Sequence, residues 1–269
     1  MSFCRTWAQQ IVLEALKIQE ASDDNLRDPW EHSTWNEQAL SIQARNSGTS
    51  DGAIIVQEYT NKLKGDDKRR VIKTHASYGL RPWKTQCDGR GKIIVVIRNP
   101  FDAAISMYHH ACDVRAFDYD GSGGLEEFIN DLWLPGKVES GDFWKWMKGW
   151  RVAFENFKNI HWLSFEELHS DPHKAVTDIV NFLNLDRVTA ADIDTIVVNS
   201  SFSKMKSNFE ENDRKKLAEG KKIKPNHIRK GGVGGYKSVL SEEMQVKMAE
   251  EHCERCAKDD LDIGIFSFV

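Results

Sequence analysis

Lys92-Ile93-Ile94-Val95-Val96-Ile97-Arg98-Asn99-Pro100-Phe101-Asp102-Ala103-Ala104-Ile105-Ser106-Met107-Tyr108-His109 decides the fold class. Ile93 to Ile97 is an unbroken β-branched run, as suits a strand covered on both faces in a parallel sheet. Asn99 is a good N-cap, Pro100 fits the first helical position, and Asp102 complements the positive end of a helix. A helix is therefore expected directly after the strand. This order predicts an α/β fold and puts Arg98 at the C-terminal end of a strand, where open parallel sheets bind ligands. Ser106 lies two turns into the helix and can face the same crevice. A guanidinium fork and a hydroxyl beside a helix start suit a phosphate. For Arg98 taken alone, an ordinary ion pair with a carboxylate is an equal alternative.

Composition sets the outer limits. The 269 residues are 40% hydrophobic and 29% charged, with a formal net charge of −4. This is a globular balance, without the basic surplus on which nucleic-acid binding depends. No apolar run reaches the roughly 18 residues of a membrane span, and the start does not read as a secretory signal. Cys4, Cys87, Cys112, Cys253 and Cys256 form an odd, scattered set that fits a reduced, cytoplasmic protein. Cys253-Glu254-Arg255-Cys256, without a second pair of ligands, predicts no metal site.

Three other stretches carry chemistry. In Arg70-Val71-Ile72-Lys73-Thr74-His75, a strand period of two puts Lys73 and His75 on one face. Histidine can take a proton near neutral pH, and lysine can offset negative charge developing beside it. In His227-Ile228-Arg229-Lys230-Gly231-Gly232-Val233-Gly234-Gly235-Tyr236-Lys237, two cations precede glycines that allow close backbone approach, a pattern that suits a polyanion. Ser200-Ser201-Phe202-Ser203-Lys204-Met205 is a weaker, hydroxyl-rich string. Helices are expected over residues 6–19, 141–157, 172–183, 190–199 and 241–256, and a strand turning into a helix over 160–168. Residues 208–226, rich in charge, are expected to be mobile.

Together these strings resemble the cytosolic-type sulfotransferases, which use 3′-phosphoadenosine 5′-phosphosulfate (PAPS) and release PAP. Arg98 to His109 matches every fixed position of that family's Arg-Asn-Pro-x-Asp-x-x-x-Ser-x-Tyr-His segment. Lys73-Thr74-His75 matches its Lys-Thr-His string. Arg229, Lys230, Gly231, Gly234 and Lys237 match its Arg-Lys-Gly segment, in which Gly235 and Tyr236 here replace an aspartate and a tryptophan. The resemblance implies a P-loop-like three-layer fold, a central parallel sheet with helices on both faces, in one domain over residues 1–269. It implies transfer of a sulfuryl group from PAPS to a hydroxyl or amine of a small-molecule acceptor. His75 would be the base and Lys73 its assistant. Arg98, Ser106, Arg229, Lys230 and Gly231 would hold the 3′-phosphate. Trp7, Ser200, Ser201, Phe202 and Met205 would lie along the adenosine end, and Arg5 and Thr6 at the phosphosulfate. Trp144 would edge the acceptor pocket, and Phe165 stands where the family has a cofactor-contacting tyrosine. Residues 208–226 would form a lid.

The first loop departs from the pattern. Against the family's Pro-Lys-Ser-Gly-Thr-Thr-Trp, Thr6 and Trp7 match, but Ser2 replaces the lysine and Cys4 the glycine. Three readings stay open: Arg5 supplies the cation, the sequence starts late, or the chain binds PAP or PAPS without turning it over. Little of the family's dimerisation motif follows Lys237, so a monomer or weak dimer is expected. A P-loop kinase would need an intact lysine loop and a magnesium-binding carboxylate after a strand, and neither is found.

Overall fold

A computed structural model of the chain describes residues 2–21, 34–35, 69, 71–80, 91–113, 119–139, 141–220 and 231–261, with backbone alone for residues 2–5, 34–35 and 80. The elements in chain order are α1 (Ser2–Glu20), β1 (Thr34–Trp35), β2 (Ile72–Lys73), β3 (Ile93–Ile97), α2 (Pro100–Asp113) and α3 (Gly124–Phe128). There follow α4 (Phe143–Asn156), β4 (Ile160–Ser164), α5 (Phe165–Ser170), α6 (Pro172–Leu183), α7 (Ala190–Asn199), α8 (Phe202–Ala218) and α9 (Glu242–Asp259). A π-helical turn spans Ile129–Trp133, and 3₁₀ turns span Tyr78–Leu80 and Gly235–Ser238. Among the described residues, no helix is long and apolar enough to cross a membrane.

The chain divides into two compact units. One comprises Met1–Arg5, Ala76–Leu183 and Lys222–Val269, the other Thr6–His75 and Asn184–Lys221. The first is built on β3 and β4, which pair in parallel with Ile93 opposite Ile160 and Ile97 opposite Ser164. Asn159 sets this register: its carbonyl accepts from Ile93 N (2.9 Å) and its amide donates to the Gly91 carbonyl (2.8 Å). Successive strand side chains point to opposite faces. His161 stacks on Phe182 of α6 at 5.2 Å between ring centres, and Trp162 lies against Phe154 of α4 at 6.0 Å. Helices therefore cover both faces of this pair, and the fold is α/β as expected.

The strand-to-helix junctions follow the sequence closely. Asn99 Oδ1 accepts from Phe101 N (2.9 Å) and starts α2. Ser164 closes β4 and opens α5 with a capping box, its hydroxyl accepting from Glu167 N (3.1 Å) while Glu167 Oε2 accepts from Ser164 N (3.0 Å). Asp142 caps α4 through Lys145 N (3.0 Å).

The aromatic stripe of α4 is core. Phe143, Trp144 and Trp150 are each at most 2% exposed. Trp144 is packed on α9: its Nε1 donates to His252 Nδ1 (3.1 Å), and the Arg255 guanidinium lies 4.5 Å above its ring. This bond fixes His252 as the neutral tautomer with its proton on Nε2, and burial holds the imidazole below its usual range. Burial pulls half-buried His161 in the same direction. The unfolded chain then binds more protons just below the ordinary histidine value of 6.5. Stability is thus complete above that value and lost as pH falls towards the depressed folded values. Urea midpoints are expected to drop between about pH 7.5 and about pH 5.5. In His252→Gln, whose amide oxygen can still accept from Trp144, the slope flattens.

In the second unit, β1 and β2 pair in parallel through Thr34–Ile72 and Trp35–Lys73. The loop before α7 meets the end of α1, where Arg187 N donates to Gln19 Oε1 (3.0 Å), and Asn199 donates to Glu14 of α1 (3.2 Å). Much of the expected mobile stretch is instead the second half of α8. It lacks an apolar stripe, but Lys206–Glu210 and Glu211–Lys215, at helical i,i+4 spacing, support it (4.0 and 3.0 Å). Residues 221–226 of that stretch lie outside the described residues.

Candidate active site

The end of β3 carries the site's most constrained group. Arg98 is 9% exposed. Its guanidinium lies 4.5 Å from the ring centre of Phe165, the residue that opens α5. One terminal nitrogen donates to the Gly232 carbonyl (2.7 Å) and stands 3.6 Å from Asp102 Oδ2. Both readings of Arg98 are thus met in part, because it does face a carboxylate. Yet its Nε, also buried, has no hydrogen-bond partner among the described residues. A buried cationic donor without an acceptor is costly. A phosphate oxygen has the chemistry to satisfy it.

The glycine string comes to this strand end, as the resemblance implied. Gly234 N donates to Asp102 Oδ2 (2.7 Å) and Tyr236 N to Asp102 Oδ1 (3.0 Å). Gly231 and Gly234 have φ of +62° and +72°, in the left-handed region where side chains are strained. Ser106 is half-buried and sits one helical turn beyond Asp102, on the face of α2 that meets this loop. Arg229 and Lys230 lie outside the described residues.

Beneath the junction is Glu166, 5% exposed, whose carboxylate accepts from Asn99 N (2.9 Å). Burial pushes its carboxyl above the usual range, while that hydrogen bond and the charge of Arg98 pull the other way. Phe165 is fully buried, and its role is to form the floor under Arg98. Local sequence gave no sign of the parts played by Glu166, Gly232 and the Asp102 carboxylate, because their partners lie 67, 134 and 132 residues away.

The remaining candidates belong to the second unit, apart from Arg5. Lys73 ends β2 and is half-buried, and His75 lies two residues beyond the ladder and is 8% exposed. The ladder therefore orients Lys73 but not His75. The residue after His75, Ala76, belongs to the first unit, and its carbonyl accepts from both Trp146 Nε1 and Trp150 Nε1 of α4 (3.1 Å each). Arg5, Thr6 and Trp7 are all helical, and the loop implied for residues 1–7 is replaced by α1 from Ser2. With Cys4 in place of glycine, nothing in Ser2 to Trp7 interrupts a helix. Thr6 and Trp7 are buried, at 2% and 7% exposure.

In the serine string, Ser200 donates to the Ile196 carbonyl (2.7 Å) and Ser201 caps α8. Met205 is core and Phe202 half-buried. The Cys253/Cys256 pair is likewise structural on the Cys256 side. That thiol is fully buried against His252, and burial pushes it up to about 11.

Comparison with known proteins gives this arrangement a family. The chimpanzee (Pan troglodytes) protein Sulfotransferase 6B1 is 28% identical over 204 residues, covering 76% of this chain and 63% of its own length. The chain thus spans less than two thirds of that relative. The amine sulfotransferase of rabbit (Oryctolagus cuniculus) is 27% identical over 258 residues, covering 90% of this chain and 84% of its own. Among solved structures, a mouse sulfotransferase complexed with PAP superposes with a TM-score of 0.64 at 27% identity, over 78% of this chain and 74% of that one. The family model for the sulfotransferase domain matches residues 5–260, nearly the whole sequence. By that match, the chain belongs to the sulfotransferase-domain family.

Proposed function

We propose that the chain transfers a sulfuryl group from PAPS to a hydroxyl or amine of a small-molecule acceptor. The observation that carries this reading is Arg98, a buried guanidinium at a strand end whose Nε lacks a partner among the described residues. A phosphate supplies the missing acceptor, and the PAP bound to the mouse relative fits that chemistry. The continuous family match from residue 5 to 260 supports reading residues 1–269 as one sulfotransferase domain. The scattered cysteines support a cytoplasmic protein, the few matches to the dimerisation motif after Lys237 a monomer or weak dimer, the acidic balance the lack of a nucleic-acid partner, and the lack of a long apolar run the lack of a membrane one.

In this reading Arg98, Ser106 and Gly231, with Arg229 and Lys230, hold the 3′-phosphate. Trp7, Ser200, Ser201, Phe202 and Met205 line the adenosine end, and Arg5 and Thr6 meet the phosphosulfate. His75 takes the proton of the acceptor as its oxygen or nitrogen bonds to sulfur. The sulfur–oxygen bond to the 5′-phosphate breaks in the same displacement. Lys73, with Arg5, offsets the charge left on that oxygen.

The second reading, a protein that binds PAP or PAPS without turnover, is favoured by one observation. The segment expected to cradle the phosphosulfate is helical from Ser2 and lacks its lysine and glycine. Incubation with PAPS and a panel of phenols, alcohols and amines separates the two. Acceptor-dependent release of PAP is the expected result. PAP binding with no release for any acceptor favours the second reading, and no PAP binding overturns both.

A further inference from the structure

We propose that Asp102 is the positioning residue of the anion loop: it holds the glycine turn against the start of α2 and thereby shapes the 3′-phosphate subsite. This inference rests on the reading of Arg98 as a phosphate ligand. Asp102 is 4% exposed, and its two carboxylate oxygens are spent on the loop, Oδ2 accepting from Gly234 N (2.7 Å) and Oδ1 from Tyr236 N (3.0 Å). Arg98, one turn earlier, donates to the carbonyl of Gly232 (2.7 Å). Two side chains at i,i+4 spacing thus grip three alternate loop residues. Tyr236 then locks the loop's exit, its ring edge-on to Phe101 at 4.9 Å.

The charge on Asp102 is what this clamp needs. A carboxylate offers acceptors in both directions, so it can receive two N–H groups at once. An asparagine of the same shape offers one oxygen and turns its amide N–H groups towards the other loop N–H. One bond is lost and a repulsion takes its place. The grip also decides what Arg98 can do. With one terminal nitrogen tied to Gly232, the guanidinium cannot swing away, and its unused Nε edge stays beside the loop. Release of the loop would free Arg98 to turn and pair with Asp102 alone.

The test compares PAP with AMP, which lacks the 3′-phosphate, by calorimetric titration of the full chain. The wild type is expected to bind PAP at least about tenfold more tightly than AMP. Asp102→Asn is expected to weaken PAP about 10- to 100-fold, the scale of a charge-assisted hydrogen bond, and AMP by less than about twofold. Asp102→Glu, which keeps the charge, recovers part of the difference. In the absence of ligand, hydrogen exchange at the Gly234 and Tyr236 amides is faster in Asp102→Asn than in the wild type.

Equal binding of PAP and AMP by the wild type overturns the 3′-phosphate reading itself. A wild type that discriminates, with Asp102→Asn discriminating equally and its two amides exchanging no faster, overturns the role of Asp102 alone. Should Asp102→Asn not fold, Gly234→Ala decides. Its new methyl group meets no atom of the described residues within 4 Å, but its φ of +72° is strained, so the loop shifts while Asp102 and Arg98 remain. An undiminished PAP-to-AMP ratio in that variant overturns the proposal.

Discussion

Arg98→Ala is expected to weaken PAP binding about 100-fold or more, measured by calorimetric titration. Each hydrogen bond between charged partners contributes about 1.5–3 kcal/mol, and about 1.4 kcal/mol is a factor of ten in affinity. The guanidinium is pre-positioned by Phe165 and Gly232, so no ordering cost offsets the loss. The variant also removes a cation that faces two buried carboxylates, Asp102 and Glu166. The Glu166 carboxyl, already raised by burial, rises further. A raised carboxyl supports the fold at low pH and withdraws that support as pH rises through its folded value. The thermal deficit of Arg98→Ala is therefore larger near neutral pH than in mild acid. Arg98→Lys separates the two effects. It keeps a charge near Glu166 and a thermal midpoint close to the wild type, but without the fork it still binds PAP weakly. Unaltered PAP affinity in Arg98→Ala would remove the assignment.

His75→Ala is expected to lower turnover by about 10²- to 10⁴-fold, the usual contribution of a positioned general base. PAP affinity should move by less than about threefold, because the histidine acts on the acceptor and not on the nucleotide. The diagnostic is this split, read from a PAPS assay and a PAP titration on the same preparation. Wild-type turnover in His75→Ala would remove His75 from the mechanism. Equal losses in turnover and PAP affinity would make it a binding residue instead.

Much of the fold was legible because its signals are local. The Ile93–Ile97 run, the Asn99 cap and the Ser164–Glu167 box each act within a few residues, and each element formed where its chemistry placed it. The misses share one physical cause. In the sequence, Asp102 was simply a charge suited to a helix start, whereas its carboxylate is spent on amides more than 130 residues away. Phe165 looked like a tyrosine missing its hydroxyl, yet the bare ring serves as the surface on which Arg98 rests. Nothing near Trp144 in the sequence announced its bond to His252, 108 residues away. The charged stretch after Asn208 offered no apolar periodicity, and ion pairs at helical spacing gave only weak notice of α8.

The clamp at the start of α2 also bears on how the protein is made. Synthesis runs from the N-terminus, and domains begin to organise as they emerge. Arg98 and Asp102 leave the ribosome more than 130 residues before the loop residues they bond, Gly232 for Arg98 and Gly234 and Tyr236 for Asp102. In that interval the nascent chain has no anion pocket, and nucleotide cannot act as a folding template for it. The Arg98–Asp102 pair lets the two charges shelter each other until the C-terminal glycines arrive. Closing so long a loop carries an entropy cost that the contacts within β3 and α2 do not. Premature termination between Leu183 and Gly232 would leave β3 and β4 made and the clamp unformed.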